Sequence, residues 1–137
     1  MKMNGLDWSP EQTERAMNKF RELKLVLEDR FNEKDFQRMG QILIRHGAVI
    51  EKENKEVITG EEKITLFFEE NTEKSIEINK PRIVYAGTIN KIVEGYPVDK
   101  WALVEFDIHL TNNNTLQNQT YTSTILLMHR NNCPWDG

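Results

Sequence analysis

The sequence has few of the features that mark several large classes of protein. It contains a single cysteine, Cys133, in 137 residues, whereas small secreted domains carry an even set of cysteines that pair into disulfides. No apolar run approaches the roughly 18 residues that a membrane-spanning helix needs. The net charge is -4, and nucleic-acid binding needs an excess of clustered Lys and Arg. We therefore expect no membrane contact and no nucleic-acid partner.

Other absences bear on location and chemistry. Residues 1–7 lack the apolar core of a secretory signal peptide, so we expect a cytoplasmic protein. The sequence has neither a phosphate-cradling glycine loop nor the glycine pattern of a nucleophile elbow, and we expect no cofactor. The length suits a single domain over residues 1–137, with residues 1–8 as a flexible N-terminus.

The first half of the chain has the pattern of solvated helices. Residues 1–80 contain 14 of the 18 Lys and Arg residues and 17 of the 22 Asp and Glu residues. Ser9 as N-cap and Pro10 as the first helical residue predict a helix of about 22 residues. A second helix should end at Gly47, and a third should run from residue 61 to about 70. The predicted buried faces follow a helical period and comprise Ala16, Phe20, Leu23, Leu27 and Phe31, then Phe36, Met39, Ile42 and Leu43, then Ile64, Phe67 and Phe68.

The second half has the pattern of a sheet. Residues 48–53 and 56–60 predict two short strands around a polar turn. After Pro81, residues 82–93, 100–110 and 119–130 are rich in Val, Ile, Thr and aromatic residues, which favours three long strands. The predicted fold class is therefore α+β, with helices packed on one face of a curved, mostly antiparallel sheet.

The strand over residues 100–110 has two contrasting faces, because alternate side chains point to opposite sides. One face is wholly apolar and should point inward, so Val104, Phe106 and Ile108 are candidates either for the wall of a ligand pocket or for plain core. The other face carries Glu105, Asp107 and His109. Alternate residues share a face and could hold a metal, but metal ligands usually come from several segments. We expect no metal site there, and instead a solvated or dimer-facing stripe.

The order of these elements resembles the nuclear-transport-factor-2-like superfamily, which includes ketosteroid isomerases and polyketide-cyclase-like proteins. The resemblance covers residues 9–130 and depends on three pieces of sequence: Asn32-Glu33-Lys34-Asp35, Ile42-Leu43 leading into His46-Gly47-Ala48-Val49, and Ile58-Thr59-Gly60 leading to Ile64 with Phe67 and Phe68. It implies a cone-shaped curved sheet wrapped on the N-terminal helices around an apolar pocket, and a homodimer formed through the sheet.

The resemblance also implies a last strand that contains tryptophan. Here the sequence stops at Trp135-Asp136-Gly137, so two alternatives are open: the final strand is missing after residue 137, or the end is a truncated or variant form. A missing strand would leave an exposed sheet edge, which is a template for pairing with another chain.

Site residues follow from the resemblance as well. In ketosteroid isomerases a carboxylate base is helped by two oxyanion donors. The base position falls at Glu51, but the donor positions fall at Leu27 and near Leu126. The alternative for Glu51 is a solvated strand residue beside Lys52 and Glu53. The loss of one such donor typically costs ~10²–10³ in rate, so steroid-type isomerisation is not expected.

Two functional hypotheses remain. One is a ligand-binding or dimeric interaction module with a pocket for a small hydrophobic ligand, lined by Leu27, Val104, Phe106 and Ile108. The other is an isomerase, cyclase or dehydratase with Glu51 as general base on a small hydrophobic substrate. Burial in an apolar pocket would raise the pKa of such a carboxylate toward the working range. His46, at a predicted helix end, is expected to act as a cap. His129 and Cys133 lack the neighbours that catalysis would need.

Overall fold

The computed structural model describes residues 10–93, 96–130 and 135–136. Their architecture is α+β, as the sequence predicts. No helix in these ranges has an apolar stretch long enough to cross a membrane. The elements are α1 (Pro10–Asn32), α2 (Phe36–Arg45), β1 (Val49–Glu51), β2 (Val57–Ile58), α3 (Glu61–Glu69), β3 (Lys74–Val93), β4 (Tyr96–Asn112), β5 (Asn118–Arg130) and β6 (Trp135–Asp136). The expected flexible segment, residues 1–8, lies outside the described residues.

Local signals explain where the helices begin and end. α1 begins at Pro10, whose missing N–H costs nothing in the first turn. Asp35 caps α2, because its side chain accepts the backbone N–H of Arg38 at 3.3 Å. His46 is the C-cap of α2, and Gly47 follows with φ of +65°, a conformation that glycine adopts without strain. The predicted boundaries are confirmed to within about two residues.

The strands form one antiparallel sheet in the order β2-β1-β5-β4-β3, and β6 also pairs with β5. The three long strands are neighbours in the order in which the chain makes them. β1 returns from the helical half of the chain to pair with β5, and Ile50 lies opposite Ser123. The β3–β4 pairing shifts register at three points, and such bulges bend a sheet and increase its twist.

The prediction that the first long strand starts after Pro81 is wrong, since β3 begins at Lys74. Pro81 lies within the strand, at the register shift between Asn79 and Arg82. β3 ends the strand order of the sheet, and edge strands and bulges are where a strand tolerates proline.

The core lies between the helices and the inner face of the sheet. On one face of β4 the apolar side chains of Ala102, Val104, Phe106, Ile108 and Leu110 are all buried, which confirms the inward face predicted for that strand. The ring of Phe20 on α1 packs on Phe106 of β4 with centroids 5.0 Å apart. Phe31 joins the three helices, because its ring contacts both Phe36 and Phe68.

α2 packs closely on α3 at Gly40. A Cβ atom at this position would overlap Thr65 Oγ1 and would lie 3.3 Å from the backbone oxygen of Glu61. The absence of a side chain at Gly40 therefore sets how closely the two helices approach.

Backbone groups along the outer sides of β5 and β3 form hydrogen bonds with other parts of the chain. On β5, residues Thr122–Thr124 pair with β1, the N–H of Leu126 donates to the carbonyl of His46 at 2.8 Å, and β6 pairs at Met128 and His129. The edge of β5 that a missing strand would expose is covered at these points. On β3, the N–H of Ile78 donates to the Glu28 carboxylate of α1 at 2.8 Å. Lys24 also bonds that carboxylate, at 2.8 Å.

Candidate functional site

The outer sheet face, which points away from the helices, carries the charged side chains of β4. Glu105, Asp107 and His109 alternate with the buried residues of this strand, so their predicted outward placement is confirmed. The cross-strand register places Asn79 and Thr122 beside Asp107, and Arg82 beside Glu105. This face therefore brings together polar residues from β3, β4 and β5.

Arg82, Glu105 and Asp107 form an ion cluster, called here the Arg82 cluster. The guanidinium donates from Nε to Glu105 at 2.9 Å and from NH1 to Asp107 at 3.0 Å. Burial of the guanidinium lowers its pKa, but the bonds to the two carboxylates outweigh that effect and raise the pKa of Arg82 overall. The Asp107 side chain is only 14% exposed, so its pairing with Arg82 compensates for much of the lost hydration.

His109 belongs to a separate set of hydrogen bonds. Its Nε2 lies 3.0 Å from Asn79 Oδ1, and its Nδ1 lies 2.8 Å from Thr120 Oγ1. An amide oxygen can only accept and a hydroxyl can donate, so these contacts fit the tautomer with the proton on Nε2. Among the residues that the structure describes, no group of three His, Cys, Asp or Glu side chains could hold a metal ion.

An uncharged region adjoins the Arg82 cluster on the same face. Two cross-strand rows make up this aromatic patch, which consists of Tyr85, Leu103 and Leu126, and of Gly87, Trp101 and Met128. The Tyr85 and Trp101 rings stack with centroids 5.4 Å apart and planes 20° apart. The indole lies over Gly87, where a Cβ atom would come within 3.0 Å of Trp101 Cζ2. Tyr85 is still 49% exposed.

A second surface feature lies between the β1–β2 turn and the start of β5. This polar cleft has a volume of about 280 Å³ and is lined by Lys52, Glu53, Asn54, Gln119, Thr120 and Tyr121. The Tyr121 ring packs edge-on against Phe67 with centroids 4.8 Å apart. Burial, and then the charge of Glu53, raise the pKa of the Tyr121 phenol, which keeps it protonated as a hydrogen-bond donor.

Glu51, the candidate general base, lies on β1 opposite Thr122. Its carboxylate pairs with Lys55 at 3.5 Å, and its side chain is 43% exposed. These surroundings differ from the apolar pocket that the enzyme hypothesis requires. The role of Glu51 as a base stays a prediction.

The four candidate pocket residues, Leu27, Val104, Phe106 and Ile108, are all at most 1% exposed and belong to the apolar core. Their role in binding a ligand stays a prediction. Leu126, which the resemblance implies lies at an inner donor position, is on the outer face instead, since Ile125 and Leu127 beside it are the buried residues. Neighbouring residues of a strand point to opposite faces, so an ungapped count that is wrong by one residue assigns the wrong face.

Sequence reasoning missed Arg82, Tyr85 and the polar cleft. Alternation along residues 82–87 could have placed Arg82 and Tyr85 on one face, but only the strand register identifies their partners. His46 lies at the end of α2, as predicted, and its Nδ1 is 3.3 Å from the carbonyl of Leu126. The His129 side chain and Cys133 lie outside the described part of the chain.

Comparison of the chain with models of protein families, with curated proteins and with solved structures finds no match. Functional assignment therefore depends on the chemistry of the two surface regions. The aromatic patch offers apolar contact area without charge, which suits protein association. The polar cleft offers several hydrogen-bonding side chains around a small volume, which suits a small polar molecule.

Proposed function

We propose that this chain is a homodimeric interaction module with a nuclear-transport-factor-2-like fold, and that the outer sheet face of one copy binds the same face of a second copy. The observation that carries the proposal is the aromatic patch, in which a half-exposed Tyr85 stacks on Trp101. Tyrosine and tryptophan are enriched at interfaces, because they bury a large area and can still make a polar contact.

Charge favours a second copy as the occupant of the patch. Each chain carries a net charge of -4, so two copies repel one another, and that repulsion is weakest where the contacting surfaces themselves carry no charge. None of the six positions of the aromatic patch is charged. In a twofold dimer a surface must be complementary to itself, and an uncharged apolar surface meets that condition.

The charges next to the patch are already compensated within the chain. Arg82 bonds both Glu105 and Asp107, so these acids do not need a cation from the partner. The cluster can therefore lie at the rim of the interface, where polar residues are usual. There it would favour some orientations of the partner over others.

The order and irregularities of the secondary-structure elements support the proposed nuclear-transport-factor-2-like fold. The order of two helices, two short strands, a third helix and a meander of long strands is the order on which the resemblance to the superfamily depends. Association through the sheet is common in that superfamily. The register shifts along β3 are the kind of irregularity that curves a sheet, as a cone-shaped fold requires.

Light scattering coupled to size-exclusion chromatography tests the proposal. At micromolar concentration the wild-type chain should elute with twice its 16.1 kDa mass. Tyr85→Glu places a charge in the patch and should shift the protein to the monomer. Leu25→Glu is the matched control, since Leu25 is 61% exposed on α1, away from the sheet, and it should leave the dimer intact. Circular dichroism checks that both variants fold.

Two results would contradict the proposal. One is a mass of 16.1 kDa for the wild type at every concentration tested. The other is a dimer that Tyr85→Glu and Leu25→Glu affect equally, which would place the interface elsewhere.

A further inference from the structure

The polar cleft presents hydrogen-bond donors that the protein itself does not use. Gln119 Oε1 accepts the Tyr121 hydroxyl at 2.8 Å and the Lys74 ammonium at 3.2 Å. A carbonyl oxygen has two lone pairs, so both are occupied and the amide is fixed in one orientation. The side chain is left with its NH₂ group to offer.

Asn54 is held in the same way. Its Oδ1 accepts the backbone N–H of Glu56 at 3.0 Å, an Asx-type turn contact that fixes the amide at the tip of the β1–β2 turn. Within the described residues, neither the Asn54 NH₂ group nor the Gln119 NH₂ group has a hydrogen-bond partner. Two oriented amide donors therefore line the same small cleft.

The charged residues of the cleft restrict the chemistry of a ligand. Lys52 adds a third donor, although its ammonium is shared with Glu56 at 3.5 Å. Glu53 contributes a carboxylate to the lining. An ionised carboxylate ligand could accept from the donors but has no hydrogen to donate to Glu53, whereas a hydroxyl group can accept from an amide and donate to a carboxylate at once.

We propose that the polar cleft binds a small, neutral, polyhydroxylated molecule of the monosaccharide class. Its hydroxyl oxygens accept from the amides of Asn54 and Gln119, and one of its hydroxyl hydrogens is donated to Glu53. The volume of about 280 Å³ is just below the roughly 300–1,000 Å³ usual for pockets that hold drug-sized ligands, which suits a single sugar ring. This inference does not depend on dimerisation, because the cleft residues differ from those of the aromatic patch.

Nuclear magnetic resonance of the ¹⁵N-labelled full chain tests the inference directly, since the side-chain NH₂ groups of Asn and Gln give their own signals. The probes are D-glucose and D-galactose as neutral hexoses, and sodium acetate as the carboxylate. At least one hexose should shift the NH₂ signals of Asn54 and Gln119 in a saturable way, with a Kd on the order of 1 mM. Acetate should not shift them.

Two variants remove one donor each and keep the internal contact. Gln119→Glu retains the oxygen that accepts from Tyr121, and Asn54→Asp retains the oxygen that accepts from Glu56. Each should weaken hexose binding about 2- to 10-fold, as expected for one lost hydrogen bond. Gln117→Glu is the control, because Gln117 is exposed in the connection just before β5, two residues from Gln119, and does not line the cleft. It makes the same change in charge and should leave the Kd unchanged.

The inference is overturned if neither hexose shifts the two NH₂ signals. It is also overturned if acetate shifts them and the hexoses do not, since that result would assign the cleft to carboxylates. Equal weakening by Gln119→Glu and Gln117→Glu would refute it as well, because charge rather than the missing donor would then control binding.

Discussion

Replacement of Gly40 by alanine sets two opposing energies against each other. In a helix interior, alanine is more favourable than glycine by roughly 0.5–1 kcal/mol. The new Cβ atom, however, would overlap Thr65 Oγ1 and lie 3.3 Å from the Glu61 carbonyl oxygen. Overpacking of a tight interior typically costs about 1–3 kcal/mol. The steric cost should prevail, and Gly40→Ala should lower the free energy of unfolding by about 1 kcal/mol or more.

Thr65→Ala identifies the cause of that loss. It removes the overlapping hydroxyl, so in this background Gly40→Ala should be neutral or stabilising by up to ~1 kcal/mol. Urea unfolding of the wild type, both single variants and the double variant gives the coupling energy, which should be about 1–3 kcal/mol for residues in contact.

Gly47→Ala provides a control that destabilises without touching Thr65. Its cost comes from a φ of +65°, and a Cβ atom there meets no atom within 4 Å. It should therefore lower stability equally with Thr65 and with Ala at that position. If Gly40→Ala also cost the same in both backgrounds, the close approach of α2 and α3 would not be what limits position 40.

Two further predictions concern the edge of β3 and the cleft. Glu28→Ala should destabilise the fold by about 1 kcal/mol and speed hydrogen exchange at the Ile78 amide. Glu28→Gln keeps an accepting oxygen for that N–H and should lose clearly less stability. Equal exchange rates in the two variants would argue against this bond. Burial, and then Glu53, raise the pKa of Tyr121 above its ordinary 10.0. As the pH rises above about 10, the unfolded chain therefore loses this proton before the folded protein does. The free energy of unfolding falls over this range, until the pKa of the folded state is passed. Tyr121→Phe should remove this part of the alkaline stability loss, and an unchanged stability profile would contradict the assignment.

The sequence predicts the helices and the inner face of β4 well, because each depends on a local period. Phe20, Leu27 and Phe31 repeat at helical spacing, and all three are buried. Val104 and Phe106 alternate with polar residues at strand spacing, and both are buried. The burial of these residues can be predicted without knowing which residues they contact, so the periodic pattern is sufficient for that prediction.

The surface regions could not be predicted in the same way, because they depend on which strand residues lie side by side. Arg82 meets Glu105 only through the β3–β4 register, and that register shifts at Pro81, where sequence reasoning placed the start of the strand. Gln119 and Asn54 line one cleft only because β1 returns to pair with β5. Strand alternation assigns a face to each residue, but register assigns its neighbours.

The return of β1 to β5 also bears on how the chain folds. The long strands can pair one after another as hairpins, each closed by a short connection. The contact between Ser123 and Val49, in contrast, joins residues 74 positions apart, and the ordering of a long loop costs conformational entropy before any contact offsets it. We therefore expect the meander of β3, β4 and β5 to form first, and α2 with β1 to dock last. Since residues of the β1–β2 turn line the polar cleft, we expect that cleft to form among the last parts of the fold.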